Sequence, residues 1–275
     1  MDFFKALEIF IIALYFIGSV VFLAGMLGRK NALKKTAEFS ALLGFALHTL
    51  YLGLYLGAHR IEALVHGNLY FNLLGWVFML IFFLLWWKHK LEFLALIASP
   101  LALLLFLSSL STTALKVKMP DALSGLFFGL HIALIFLSLA FLAMAFGAGL
   151  IFLHLEKKIK TKAKLTGFRK DLPALSTFDA ANYWSVVAGF PLFTVGILSG
   201  FIWAKITWGR LISWDPKEIV SVFIWLCYAF LFHQRLALGW RGRKPAGMAI
   251  LVFVLSVLSL VIVNFLTKSH HSFQP

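Results

Sequence analysis

The sequence predicts an all-α polytopic membrane protein, a bundle of about eight transmembrane helices in one membrane domain over 1–275, both termini extracytoplasmic. Three observations carry this expectation. Sixty-one per cent of the 275 residues are apolar and only 13% are charged, too little polar surface to coat a soluble globule of that length. Apolar runs long enough to cross a bilayer recur along the whole chain. The Lys and Arg residues gather in alternate short connections between those runs, as topology signals do.

A hydrocarbon core of about 30 Å needs roughly 20 mostly apolar residues per helix. That rule places helices near 7–27, 39–57, 69–87, 92–110, 125–153, 184–204, 219–238 and 247–266. The first run lacks a basic leader and a small-residue cleavage site, so it is expected to stay in the membrane. Every second connection is basic: Arg29, Lys30, Lys34 and Lys35; Lys88 and Lys90; Lys157, Lys158, Lys160, Lys162, Lys164, Arg169 and Lys170; Arg235, Arg241, Arg243 and Lys244. The positive-inside rule puts these in the cytoplasm, leaving 58–68, 111–124, 205–218 and the tail after Thr267 outside. The same distribution argues against a nucleic-acid partner despite a net charge of +14, because the charge is spent on topology. Segment 154–183 is the one long polar stretch, and no solenoid repeat or low-complexity tract interrupts the pattern. The single cysteine, Cys227, lies in an apolar run. It can form neither an internal disulfide nor a CxxC pair, so thiol chemistry would have to come from a partner.

Four of the nine histidines stand out by position. His48, in the second predicted helix, and His233, in the seventh, lie roughly 12 Å and 8 Å from the predicted cytoplasmic ends at 1.5 Å per residue. They are candidates for one level of the bundle. Ionisable side chains inside a membrane are costly and mark functional sites, although a histidine can also simply tie two helices together by a hydrogen bond. His131, near the outer start of the fifth helix, and His271, beyond the end of the eighth, both have reach to a site under the connection at 205–218. Neutral imidazole is a common axial ligand of heme iron, and two on different elements can clamp a porphyrin. No carboxylate or thiolate joins them at metal-motif spacing, which disfavours zinc. For His270 and His271 taken alone, a solvated tail is the plainer reading. Solvated positions also suit His59, His66, His89 and His154.

The segment from Trp203 to Glu218 reads Trp203-Ala204-Lys205-Ile206-Thr207-Trp208-Gly209-Arg210-Leu211-Ile212-Ser213-Trp214-Asp215-Pro216-Lys217-Glu218. Tryptophan is ordinary at a membrane interface. Clustering with cations in a surface connection adds a second meaning. A flat apolar porphyrin needs aromatic faces, which Trp208 and Trp214 offer, and its propionates need cations, which Lys205 and Arg210 offer. Asp215 has the character of a helix N-cap, Pro216 suits the first turn, and Glu218 complements the helix dipole.

With those residues in view, the chain resembles the cytochrome c assembly family of heme-handling proteins, in particular its CcsA (ResC) branch of system II. The family pattern, approximately W-G-x-x-W-x-W-D-P-K-E, meets Trp208, Gly209, Trp214, Asp215, Pro216, Lys217 and Glu218. The likeness spreads upstream through Phe178-Asp179, Gly189-Phe190-Pro191-Leu192-Phe193-Thr194 and Gly200-Phe201-Ile202-Trp203-Ala204. Downstream it takes in Trp225, Tyr228, His233, Arg235, Gly239-Trp240-Arg241-Gly242-Arg243-Lys244 and His271-Ser272-Phe273. Residues 172–273 carry it, and Asn68-Leu69-Tyr70 is a fainter echo in the first half.

The resemblance implies a heme-handling component in a bacterial inner (cytoplasmic) membrane. It implies that heme b is held outside by two histidines under the Trp-rich loop, at the positions of His131 and His271, and attached to the CxxCH thiols of apocytochrome c. Trp203, Trp208, Trp214, Asp215, Lys205 and Arg210 form the expected binding surface, and iron is the one metal, present only through heme. His233 matches the family's intramembrane histidine, whose partner can lie in a companion CcsB-like membrane protein; His48 is an in-chain candidate on depth alone. A CcsB-like protein, apocytochrome c and thiol reductant proteins are the implied partners, and cytochrome c synthase (heme lyase) the implied enzyme, with no catalytic residue assigned. Ile212 stands where the family usually has a further Trp, which reduces the aromatic surface. The D-P-K-E ending argues against the related CcmC branch. A HemX-type, non-catalytic heme-binding or regulatory role stays open beside the synthase reading, as does a transporter whose histidines line a solute path.

Overall fold

A computed structural model describes residues 3–59, 67–89, 92–111, 124–162, 172–212 and 214–266. Among the described residues eight α-helices follow one another: α1 Phe3–Leu27, α2 Asn31–His59, α3 Gly67–His89, α4 Ala95–Ser111, α5 Ser124–Lys160, α6 Leu175–Trp208, α7 Pro216–Leu236 and α8 Arg243–Leu266, with a 3-10 turn Glu92–Leu94 leading into α4. No strand occurs among the described residues. Seven of the helices are long and apolar enough over their described residues to cross a membrane. The protein is therefore an all-α polytopic membrane protein, as composition and hydropathy require.

Hydropathy locates the helices but misplaces several ends. α2 begins at Asn31 rather than near 39, α5 continues to Lys160 rather than 153, and α8 begins at Arg243 rather than 247. The physical reason is common to all three. A helix need not stop where the bilayer does, and Ala32, Leu33, Lys34, Lys35 and Ala37 are good helix formers whose polarity hides them from a hydropathy window. At the end of α5, Lys157, Lys158 and Lys160 occupy the last turn, where cations complement the helix dipole, and Lys160 pairs with Glu156 at 2.7 Å. The largest correction concerns α6, which spans 175–208 rather than 184–204. Trp203, Lys205 and Trp208 are thus helical, and the connection to α7 shrinks to 209–215.

The chain divides into two compact units. The first, within 1–117 and 155–174, holds α1 to α4 and the last residues of α5. Without water to drive apolar association, membrane helices approach through small residues, and this unit follows that rule. A Cβ on Gly44 of α2 would lie 3.0 Å from the Tyr15 ring of α1, and one on Gly75 of α3 would lie 3.2 Å from the Ala102 carbonyl of α4. Ser19 and Ser99 join α1 to α4 by a 3.0 Å hydrogen bond. The second unit, within 118–154 and 175–275, holds the rest of α5 with α6, α7 and α8. There Gly149 of α5 abuts the Ala246 carbonyl of α8, with 3.0 Å left for a Cβ, and Trp225 of α7 donates to Thr194 Oγ1 of α6 at 3.0 Å. Phe10, Phe16, Phe39, Leu198 and Phe223 are exposed, as side chains facing lipid are.

Candidate functional site

The second unit builds its site on the pairing of α5 with α6. Gly189, Gly196 and Gly200 are spaced by seven and four residues, so they fall on one helical face. That face lets α5 approach closely. Ser138 Oγ donates to the Gly189 carbonyl at 2.8 Å, the Ile135 side chain lies 3.0 Å from where a Gly196 Cβ would sit, and at Gly200 a Cβ would lie 2.6 Å from His131 Nδ1 and 2.8 Å from its Cε1. The His131 ring occupies the space that the missing side chain of Gly200 leaves.

His131 is oriented as well as packed. Its Nδ1 lies 2.7 Å from the Gly196 carbonyl oxygen. A carbonyl only accepts, so Nδ1 donates, and in neutral imidazole the remaining lone pair then belongs to Nε2. That is the arrangement of a metal-ligating histidine, which donates its second ring nitrogen to a carbonyl or carboxylate and presents the first to the metal. One turn earlier on α5, Phe128 packs on Trp203 with ring centroids 4.9 Å apart. Trp203 in turn meets Trp208 edge-on, again at 4.9 Å. Trp203 is buried, so its role in this structure is to anchor the end of α6 against α5.

Gly209 stops α6. Its φ of 72° is the left-handed conformation a helix C-terminus favours and glycine adopts at no steric cost, and its N–H donates to the Lys205 carbonyl at 2.9 Å. Lys205, Arg210, Leu211 and Ile212 are exposed. Trp214 is 76% exposed and has a φ of 58°, a region that costs a bulky L-residue about 1–2 kcal/mol. Asp215 closes the connection as the N-cap of α7, accepting from the Lys217 N–H at 2.9 Å, with Pro216 at the first helical position. The capping role read from the sequence is what the backbone displays.

At the other end of α6 a polar network joins α6, α7 and the start of α8. Arg235 Nη1 donates to Asp179 Oδ1 at 3.0 Å and to the Trp240 carbonyl at 2.8 Å. Its Nη2 donates to the Asp179 carbonyl and to Asn182 Oδ1, both at 2.8 Å. Asp179 Oδ1 also accepts from the Gly242 N–H at 2.8 Å, and Asn182 Nδ2 donates to the Ala145 carbonyl of α5 at 3.0 Å. Lys244 lies over the Trp240 ring at 5.3 Å. Within these sequence motifs, Asp179, Arg235, Trp240 and Gly242 anchor the helices to one another.

The other candidate histidines differ. His48 of α2 is fully buried in the first unit, its Nε2 2.8 Å from Asn72 Oδ1 and its Nδ1 3.1 Å from the Tyr15 hydroxyl. An amide oxygen only accepts, so Nε2 donates and Nδ1 accepts from the tyrosine. Both ring nitrogens are engaged, and Phe106 packs edge-on at 4.9 Å. His233 is exposed on α7, in the second unit. His48 and His233 belong to different units. His271, with His270, lies outside the described residues. Among the described residues no group of three or more His, Cys, Asp or Glu side chains is arranged to hold a metal ion.

Comparison with known proteins gives the family. The model of a family described as cytochrome C assembly protein matches residues 66–271. The cytochrome c biogenesis protein CcsA of Guillardia theta is 31% identical over 229 residues, covering 75% of this chain and 75% of that protein. That of Pyropia yezoensis is 29% identical over 247 residues, 75% of this chain and 77% of its own. The CcsA of Synechocystis sp. is 40% identical over 119 residues, 43% of this chain and 35% of its own. The family match takes in α3, α4 and α5 as well as residues 172–271 of the region that carries the motif. The chain therefore belongs to the cytochrome c assembly protein family, as a multi-pass membrane protein of its CcsA branch.

Proposed function

We propose that this chain holds heme b as cargo at an extracytoplasmic site, with His131 and His271 as axial ligands, for covalent attachment to the CxxCH motif of apocytochrome c. The observation that carries the reading is the His131 ring, whose Nδ1–H is tied to the Gly196 carbonyl at 2.7 Å while Nε2 keeps its lone pair. His48 has no nitrogen to offer without breaking one of two hydrogen bonds, so its part is to tie α1, α2 and α3. His233 would serve an intramembrane heme position shared with a CcsB-like partner. The exposed ring of Trp214 covers the cargo, and the exposed Lys205 and Arg210 pair with its propionates. Trp203 and Asp215, both buried, hold the two ends of this platform in place.

Heme supplies the two vinyl groups that receive the cysteine thiols. The chain supplies position: it fixes iron and ring orientation so that the thiols of the bound apocytochrome meet the vinyls as a near-unimolecular encounter. The histidine of CxxCH then replaces one protein ligand and the product leaves. Cys227 lies inside α7, so reduced thiols come from reductant proteins outside this chain. The alternating basic connections support this placement in a bacterial inner membrane, with the α6–α7 connection on the outer side.

The test is spectroscopic and then chemical. Membranes expressing the chain with its CcsB-like partner are solubilised, and copurified heme is quantified per folded protein for the parent, His131→Ala, His271→Ala and His48→Ala. Loss of heme in the first two with retention in the third is expected. Heme retained by both His131→Ala and His271→Ala would refute the site. Coexpression with a CxxCH reporter follows, and covalent heme on the reporter is the expected product. Bound heme with no covalent product would instead support the HemX-type role.

A further inference from the structure

We infer that Gly200 is a positioning residue for axial ligation: its missing side chain admits the His131 ring, and the Gly196 carbonyl one turn away fixes which nitrogen faces the iron. The inference rests on the reading of His131 as a ligand. Two independent contacts define it. A Cβ at 200 would lie 2.6 Å from Nδ1 and 2.8 Å from Cε1 of His131, both closer than carbon tolerates, while Nδ1 is held at 2.7 Å from the Gly196 oxygen. The ring is therefore trapped between a wall and a hydrogen bond. A methyl at 200 cannot be relieved by rotating a free side chain end, since moving the ring away from the wall lengthens or bends the bond to Gly196. Either response frees the imidazole to tilt or to adopt the other tautomer.

The consequence reaches the iron through the ligand. A ring N–H bonded to a carbonyl makes the opposite nitrogen a stronger donor, and partners of this kind are worth about 10–100-fold in metal affinity. Glycines at 189 and 196 serve the α5–α6 approach and meet Tyr228 and Ile135. Of the three, Gly200 alone is where an added Cβ would meet the His131 ring.

The experiment compares Gly200→Ala with Gly149→Ala, a substitution at a close-packed α5 position where a Cβ would lie 3.0 Å from the Ala246 carbonyl of α8 and not against His131. Heme content, visible spectrum and midpoint potential are recorded on the full chain with its partner. Gly200→Ala is expected to bind heme at least about tenfold more weakly, with a changed Soret band and a higher midpoint potential. Gly149→Ala is expected to lower stability and leave the spectrum of the bound fraction unchanged. The decisive arm places Gly200→Ala in a His131→Gly background supplied with free imidazole as the ligand. With the ring gone, the methyl at 200 has nothing to displace, so the two substitutions must not add. Should Gly200→Ala alone fail to accumulate, recovery of accumulation by His131→Gly reports the same clash, and failure to recover overturns the inference. A parental spectrum and potential in Gly200→Ala, alongside heme loss in His131→Ala, also overturns it and leaves the ligand reading intact. Heme retained in His131→Ala sinks the ligand reading instead.

Discussion

Each unit holds one histidine among its packed helices and treats it in the opposite way. In the first, His48 gives one ring nitrogen to Asn72 and takes the Tyr15 hydroxyl on the other, so the side chain is consumed by holding three helices together. In the second, His131 spends one nitrogen on the Gly196 carbonyl and keeps the other. His48 is fully buried and His131 half-buried, and residue type does not separate them. The difference that bears on use lies in whether the second nitrogen has an internal partner, and it teaches that a histidine packed in a helix bundle declares its use by what it leaves unspent.

Substitutions at four positions sharpen or break that contrast. Arg235→Ala should do the greatest damage. It leaves Asp179 without its buried cation and empties four hydrogen bonds, a loss of about 3–5 kcal/mol, seen as collapse of accumulation or of thermal stability in detergent. Arg235→Lys should recover little, because a single ammonium cannot span Asp179, Asn182 and Trp240 at once. His48→Ala comes next at about 3 kcal/mol, from the cavity and the orphaned Tyr15 and Asn72 groups. Heme per folded molecule should stay at the parental level. If His48→Ala left stability intact and removed heme, the contrast between the units would be reversed.

Asp215→Ala should cost about 1 kcal/mol as a lost N-cap, with most of it restored by Asn. Hydrogen exchange in the first turn of α7 would register it. Smallest in stability is Trp214→Ala. A ring 76% exposed packs on little, so thermal stability should move by no more than about 0.5 kcal/mol, while copurified heme falls. A large stability loss would show that Trp214 belongs to the fold and not to the platform.

Much of this fold is legible in the amino-acid sequence. Helix number, order and centres follow from the apolar runs, and the cap at Asp215 follows from Asp-Pro at the edge of one. Helix ends were harder. Asn31–Glu38 and Leu175–Tyr183 extend past the apolar core on propensity and tertiary packing, which hydropathy does not weigh. The loop read from Trp203 to Glu218 therefore divides into a helical end that packs and a short connection that is exposed. The environment of His131 is illegible for a different reason: the Gly196 carbonyl is 65 residues away in sequence, and backbone acceptors leave no residue-type signature. The spacing of Gly189, Gly196 and Gly200 was the available signal, since small residues on one face mark a close helix neighbour. Likewise, Asp179 and Arg235 stood inside recognisable motifs, yet only their mutual contact explains them.

The left-handed backbone at Trp214 sets selection for folding against selection for use. Glycine at that position would relax the chain and remove the ring together. In a saturation library sorted only for the amount of protein in the membrane, glycine and asparagine should rise at 214. In the same library sorted for bound porphyrin, tryptophan should hold its place, and the gap between the two enrichments would measure how much fold stability this membrane protein forgoes to keep one aromatic face turned outward.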